Sequence, residues 1–350
     1  MQILITGNMG YVGPVLVHHL RARFPDAVLI GYDSGLFAHC LTACHTLPEV
    51  LLDRQVFGDT RDIDAGMLSG CDAVVHLAAI SNDPMGDRFA EPTNQVNHLA
   101  SLRLAELARD AGVRHFVFAS SCSVYGAAGA GARTETDGLN PITAYARSKI
   151  ATEQGLRQMD HDGMTVTCLR FATACGMSDR LRLDLVVNDF VACAMAAGEI
   201  TVLSDGSPWR PLLDVTDLAR AIEWAVTRPL AQGGATLVMN VGADDWNFQV
   251  RDLAEAVVAQ VPGCALSINH AAPPDRRSYK VDFGLFRALA PEHQPTTTLP
   301  QTIARLRDGL AAMGFSDRRF REGHHIRLHV LAEHAAAGRI GPDIRMRRGA

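Results

Sequence analysis

The sequence predicts an α/β protein: a doubly wound parallel sheet with a smaller second module interleaved toward the C-terminus. Three observations carry that expectation. Short, uniformly apolar runs recur along the first half, as strands buried on both faces require. Stretches of helical period alternate with them, the pattern of parallel strands joined by crossover helices. The first apolar run ends in a glycine-spaced turn, Gly7-Asn8-Met9-Gly10-Tyr11-Val12-Gly13, directly before a helical stretch.

The elements follow in order. Gln2–Thr6 (QILIT) is the first strand, Pro14–Phe24 the first helix and Ala27–Tyr32 the second strand, which together make a β-α-β unit. Ala73–Leu77, His115–Ala119 and Met164–Arg170 repeat the buried-strand character, with helices at about Asn94–Ala111 and Tyr145–Met159 between them. Beyond about residue 175 the alternation loosens. A helix near Asp184–Ala197, a strand Ile200–Leu203, a helix Thr216–Thr227 and a strand Thr236–Val241 come next, then helices near Val250–Val261, Leu299–Met313 and Arg319–Ala337. The expected division assigns residues 1–172 and about 205–242 to the sheet domain, 173–204 and 243–315 to the second module, and 316–350 to an Arg-rich helical extension.

Composition removes other classes. With 47% hydrophobic and 20% charged residues among 350, the chain can bury a core and is neither a disordered segment nor a repeat fibre. A formal charge of −5 gives no general attraction to nucleic acid or anionic membrane. No apolar run approaches the roughly 18 residues of a membrane span, and the start lacks the basic flank of a signal peptide, so a soluble, cytoplasmic protein is expected. Eight irregularly spaced cysteines fit reduced thiols. His39-Cys40-x-x-x-Cys44-His45 offers soft ligands but lacks the distant second pair of common zinc sites, so no metal is expected. His324, His325, His329 and His334 read as a solvated or subunit-facing surface.

Two motifs carry chemistry. In the glycine turn, absent Cβ atoms let the chain bend tightly and approach a diphosphate whose charge faces a helix N-terminus. Asp33 ends the second strand 20 residues after Gly13. A carboxylate there accepts hydrogen bonds from ribose hydroxyls and repels a 2′-phosphate, which favours NAD over NADP. Tyr145-Ala146-Arg147-Ser148-Lys149 places Tyr and Lys on one helical face, where an ammonium can stabilise a phenolate and draw its pKa down from about 10 toward a general base's range. Lys149 and Lys280 are the only lysines, which makes this spacing informative. Ser121, in Ser120-Ser121-Cys122-Ser123-Val124-Tyr125-Gly126 at the end of the strand His115–Ala119, can share a substrate proton with Tyr145.

With Gly58-Asp59, His76-Leu77-Ala78-Ala79, Asp205-Gly206-Ser207-Pro208-Trp209-Arg210, Asp214, Asp217, Asp275, Tyr279 and Asp282, these residues resemble the extended short-chain dehydrogenase/reductase family, the NAD-dependent nucleotide-sugar epimerases and dehydratases, over about residues 1–315. The resemblance implies a Rossmann-type domain, NAD as cofactor, a nucleotide-diphosphate sugar as substrate and a homodimer. It implies Ser121, Tyr145 and Lys149 as catalytic residues. At the cofactor it places Gly7, Gly10, Tyr11, Val12, Gly13, Asp33, Asp59, Thr60, Leu77, Ala78, Ala79 and Asn97, with Tyr145 and Lys149. At the substrate it places Ser121, Ser123, Thr173, Asn188, Arg210, Asp275, Arg276 and Arg277.

Departures from the family pattern bear on the reaction. The family's dehydratases and decarboxylases carry Glu two places after the catalytic Ser or Thr, and hexose dehydratases often add Asp before it. Here those places hold Ser123 and Cys122, neither of which readily moves a carbon-bound proton, so elimination is disfavoured. The form Ser-x-Ser-Val-Tyr-Gly resembles the 4-epimerases. Thr173 stands where those carry Asn, and Ala272 where an Arg contacts the diphosphate; Arg276 and Arg277 can replace that charge, and an unusual nucleotide sugar is implied. The expected reaction is C4 epimerisation through a transient 4-keto sugar. The alternatives are an NAD(P)H-dependent keto-sugar reductase, a 4,6-dehydratase, and an NAD-binding regulatory or scaffold protein without catalysis.

Overall fold

The computed structural model describes residues 1–42, 44–81, 83–127, 129, 131–272 and 277–347. Seven strands form the central sheet: β1 (Gln2–Thr6), β2 (Val28–Asp33), β3 (Arg54–Phe57), β4 (Ala73–His76), β5 (His115–Ser121), β6 (Thr165–Phe171) and β7 (Thr236–Val241). They lie in the order β3-β2-β1-β4-β5-β6-β7, with every pairing parallel. The strand order reverses between β1 and β4, so a crevice opens at their C-terminal ends, where connections leave in opposite directions.

Burial explains why these segments are strands. β6 is buried at all seven positions and β1 from Ile3 to Thr6, as a sheet covered on both faces demands. One face packs Ile3, Ile5, Val75 and Val117 against α1 (Val12–Arg23) and the helix Val215–Ala225. The other packs Leu4, Val74, Phe116 and Val166 against Leu104, Ala105 and Ala108 of the helix Ala100–Asp110. A second core gathers Val187, Val191, Leu253, Val257, Ile303 and Leu306 from three helices, Val186–Ala197, Val250–Val258 and Leu299–Ala312. The last of these begins at a reciprocal cap between Thr298 and Gln301, with Pro300 in the first turn. A short sheet of Asn247–Gln249, Trp209–Asp214 and Thr173–Cys175 lies beside it.

Several expectations are corrected. β3 and the strand Trp209–Asp214 were not anticipated: β3 is a short, part-exposed edge strand with polar residues, and the other carries Pro211, which cannot donate to a ladder. The helix expected over Asn94–Ala111 contains a π-helical turn, Gln95–Leu99, before Ala100–Asp110. The terminal helix is Arg327–Ala336, preceded by a 3₁₀ turn at Phe320–Glu322, because Gly323 interrupts the run. The extension is a solvated surface only in part: His324 is exposed. His325, Arg327 and His334 are buried, and Leu331, Ile340 and Ile344 form a cluster with Ile80 and Met85. Among the described residues, no helix is long and apolar enough to cross a membrane.

Candidate active site

The glycine turn lies at the C-terminal end of β1. Gly7 has φ +75°, and a Cβ there would stand 2.5 Å from the Ala78 backbone nitrogen, so only glycine lets the turn touch the end of β4. A Cβ on Gly13 would meet the Asn8 carbonyl oxygen at 2.0 Å; this third glycine lets the turn close on α1 and does not line the crevice. The Asp33 carboxylate accepts from the Met9 N–H at 3.0 Å and the Gly35 N–H at 2.8 Å, and so fixes the turn. Burial raises its pKa, and those two N–H groups oppose the rise. Asp59 caps the 3₁₀ turn Thr60–Asp62 and is held by Arg61 at 2.6 and 2.9 Å.

A cavity of about 920 Å³ brings Gly7, Gly10, Tyr11, Val12, Asp33, Asp59, Thr60, Leu77, Ala78 and Ala79 together with Ser121, Tyr145 and Lys149. Asn97 is not on its wall. That side chain is fully buried, its Oδ1 accepting from Ile80 N at 2.8 Å and its Nδ2 donating to the Ile80 carbonyl at 3.0 Å and Ser148 Oγ at 3.1 Å, so it positions the cavity wall without facing it.

Tyr145 and Lys149 sit on the helix Ala144–Gln158, which Thr143 caps by accepting from Ala146 N at 3.2 Å. Lys149 is buried; its Nζ donates to the Ala119 carbonyl at 2.7 Å and lies 4.6 Å from the Phe118 ring centre and 5.5 Å from that of Tyr145. Burial pushes its ammonium down to about 7, with Glu153 and Cys168 pulling the other way. Glu153 is itself paired with Arg170 at 2.7 Å. The phenol departs from the sequence expectation. Desolvation pushes Tyr145 up to about 12 and Asp83 adds to the rise, while a hydrogen bond with Ser121 and the charge of Arg182 draw it down. Lys149 is depressed by the same burial, so it does not outweigh the desolvation of its neighbour.

Ser123, Thr173, Arg210 and Arg277 also line the cavity. The Ser123 hydroxyl oxygen is buried without a hydrogen-bond partner among the described residues. Asn188 does not reach the cavity: its amide accepts from Gly176 N at 2.9 Å and donates to the Arg182 carbonyl at 2.9 Å, so its expected role at the diphosphate gives way to bracing the loop before Val186–Ala197. Asp275 and Arg276 lie outside the described residues. Cys122 faces the core, its thiol donating to the Arg170 carbonyl at 3.1 Å.

Sequence reasoning missed Asp83, Arg182, Asp184 and Arg321, all on the cavity wall. Asp83 accepts from Thr143 Oγ1 at 2.8 Å and pairs with Arg277 at 3.2 Å. Arg182 holds Asp184 through two bonds of 2.9 and 2.7 Å and donates to Ser81 Oγ at 3.1 Å. No local motif marks them, because three separate segments bring them together: the start of the helix Asp83–Arg88, the loop that holds Arg182 and Asp184, and the 3₁₀ turn Phe320–Glu322. Among the described residues, no group of three or more His, Cys, Asp or Glu side chains is placed to hold a metal.

A parallel sheet in this order, with a glycine turn at its point of reversal and a Tyr–Lys pair facing the same crevice, defines a dinucleotide-dependent α/β enzyme. The chain belongs to the NAD dependent epimerase/dehydratase family, which matches residues 3–242. It is 29% identical over 299 residues to a UDP-glucose 4-epimerase of Azospirillum brasilense, covering 78% of this chain and 82% of that one. It is also 29% identical over 248 residues to a dTDP-glucose 4,6-dehydratase of Streptomyces griseus, covering 69% and 73%. Among solved structures, MoeE5 in complex with UDP-glucose and NAD superposes with a TM-score of 0.73 at 26% identity, covering 89% of this chain and 99% of that chain. NAD is the cofactor of the family, and the crevice fits a dinucleotide: Gly7 and Gly10 line it beside the N-terminus of α1, with Asp33 and Asp59 on the same wall.

Proposed function

We propose that the protein is a nucleotide-sugar epimerase that inverts C4 through a transient 4-keto sugar. The observation that carries this reading is the convergence of Ser121, Tyr145 and Lys149 on one cavity whose position two after Ser121 is filled by Ser123, not an acid. In this reading residues 1–172 and about 205–242 hold NAD, with Asp33 at a ribose and Asp59 and Thr60 near the adenine. Residues 173–204 and 243–315 hold the nucleotide sugar, with Arg210 and Arg277 toward its diphosphate, for which planar guanidinium forks are suited.

Bound NAD supplies a reversible hydride acceptor. Tyr145 takes the proton of the sugar hydroxyl and returns it, while Ser121 shares that proton and holds the oxygen in place. Ser121 and Arg182 lower the phenol's affinity for its proton, and Asp83 raises it. Lys149 fixes the strand end to the helix through Ala119. In this reading the cavity of about 920 Å³ is shared by NAD and the nucleotide sugar, and the keto sugar turns its other face within it. A cytoplasmic homodimer completes the reading, and light scattering checks the dimer.

One observation favours a second reading, dehydration: Asp83 is a carboxylate on the same cavity wall as Tyr145, able to move a carbon-bound proton. Incubation with a panel of UDP- and dTDP-linked hexoses, without added reductant, separates the two. Epimerisation gives an isomer of unchanged mass, and dehydration a product lighter by one water.

A further inference from the structure

The extension beyond residue 315 has no part in the chemistry above, yet it lies on the crevice. MoeE5 is matched over 99% of its length by 89% of this chain, so this chain has length beyond the shared fold. Helix Arg327–Ala336 docks through Arg327, which donates to the carbonyls of Arg180 at 2.8 Å and Leu181 at 3.2 Å, and through His334, whose Nε2 donates to the Leu36 carbonyl at 2.8 Å. Beyond it the chain turns back in a bridge between Ile340 and Met346. There Arg61 donates to the Asp343 carbonyl at 2.9 Å and Arg345 pairs with Asp62. Leu36 and Arg61 lie in the loops after β2 and β3, beside Asp33 and Asp59. Leu331 and Ile344 line the cavity itself. Ile344 has φ +62°, a strained conformation for a β-branched residue, which the surrounding contacts hold in place.

We propose that this C-terminal segment is a latch over the dinucleotide end of the crevice, with Ile344 facing the cavity and the Arg345–Asp62 and Arg61–Asp343 ties holding it shut, so that NAD is retained over many turnovers. The inference rests on the proposed placement of NAD beside Asp33 and Asp59.

The test is the rate at which full-length protein loaded with NAD releases it into an excess of an NAD-consuming trap enzyme, with thermal unfolding recorded alongside. Ile344→Gly relieves the backbone strain while removing the cover, so it should keep the fold and speed release at least tenfold. Arg345→Glu repels Asp62 and should act in the same direction, and adding Asp62→Arg to it should restore slow release. Release within twofold of wild type in folded Ile344→Gly and Arg345→Glu overturns the latch. Asp33→Ala separates the two ideas. Faster release there with unchanged latch variants leaves the NAD placement standing and removes the latch, whereas unchanged release in Asp33→Ala removes the placement and, with it, the latch.

Discussion

Replacing Lys149 by methionine should stabilise the protein near neutral pH while destroying turnover. The Lys149 ammonium goes from 10.5 in the unfolded chain to about 7 in the folded one. Between those values the unfolded chain binds a proton that the folded chain does not, so stability rises with pH across that window and the cost is complete below about 7. At pH 7.5 the gap of roughly three units corresponds to about 4 kcal/mol. Methionine keeps the length and removes this cost, but leaves the Ala119 carbonyl unpaired, at about 1–3 kcal/mol. The expected net gain is about 1–3 kcal/mol at pH 7.5, shrinking by about 1.4 kcal/mol for each unit of rising pH. Urea unfolding of cofactor-stripped wild type and Lys149→Met between pH 7 and 9.5 measures it. Parallel pH profiles for the two proteins would refute the reasoning, because the difference between them must close as the unfolded lysine loses its proton.

Other outcomes follow from the same geometry. Tyr145→Phe should retain NAD binding and lose about 10²–10⁴ in turnover, as removal of a general base does; near wild-type rates would take Tyr145 out of the mechanism. Asp83→Asn removes the negative charge that holds the Tyr145 proton, so the rising limb of kcat/KM with pH should move to lower pH; movement to higher pH would reverse the assigned sign. Gly13→Ala puts a Cβ 2.0 Å from the Asn8 carbonyl, and should abolish NAD binding or folding; calorimetry showing wild-type NAD affinity would contradict the packing role.

What was legible in the sequence is what short-range physics determines. β1 and β7 could be read residue by residue, because a strand buried on both faces is mostly apolar, with only Thr6 and Asn240 as buried polar residues in the two. The Tyr145–Lys149 pair was legible because one helical turn fixes its geometry. β3 was hidden by the polar residues of an edge strand, and Trp209–Asp214 by Pro211. Asn97 and Asn188 have the polarity of ligand contacts, yet their amides are spent on backbone groups that only the tertiary fold brings near. The direction of the Tyr145 shift depended on burial and on Asp83, sixty-two positions earlier in the chain. The extension looked solvated because it is rich in Arg and His, but Arg327 and His334 are buried where their donors meet backbone carbonyls.

The most direct measurement uses a substrate nucleotide sugar deuterated at C4, incubated with the purified protein in unlabelled water without added reductant. Epimerisation requires a product of equal mass with inverted C4 and the deuterium still on that carbon, since the same hydride returns. Loss of one water from the product, or consumption of added NADH or NADPH in step with product, would contradict it.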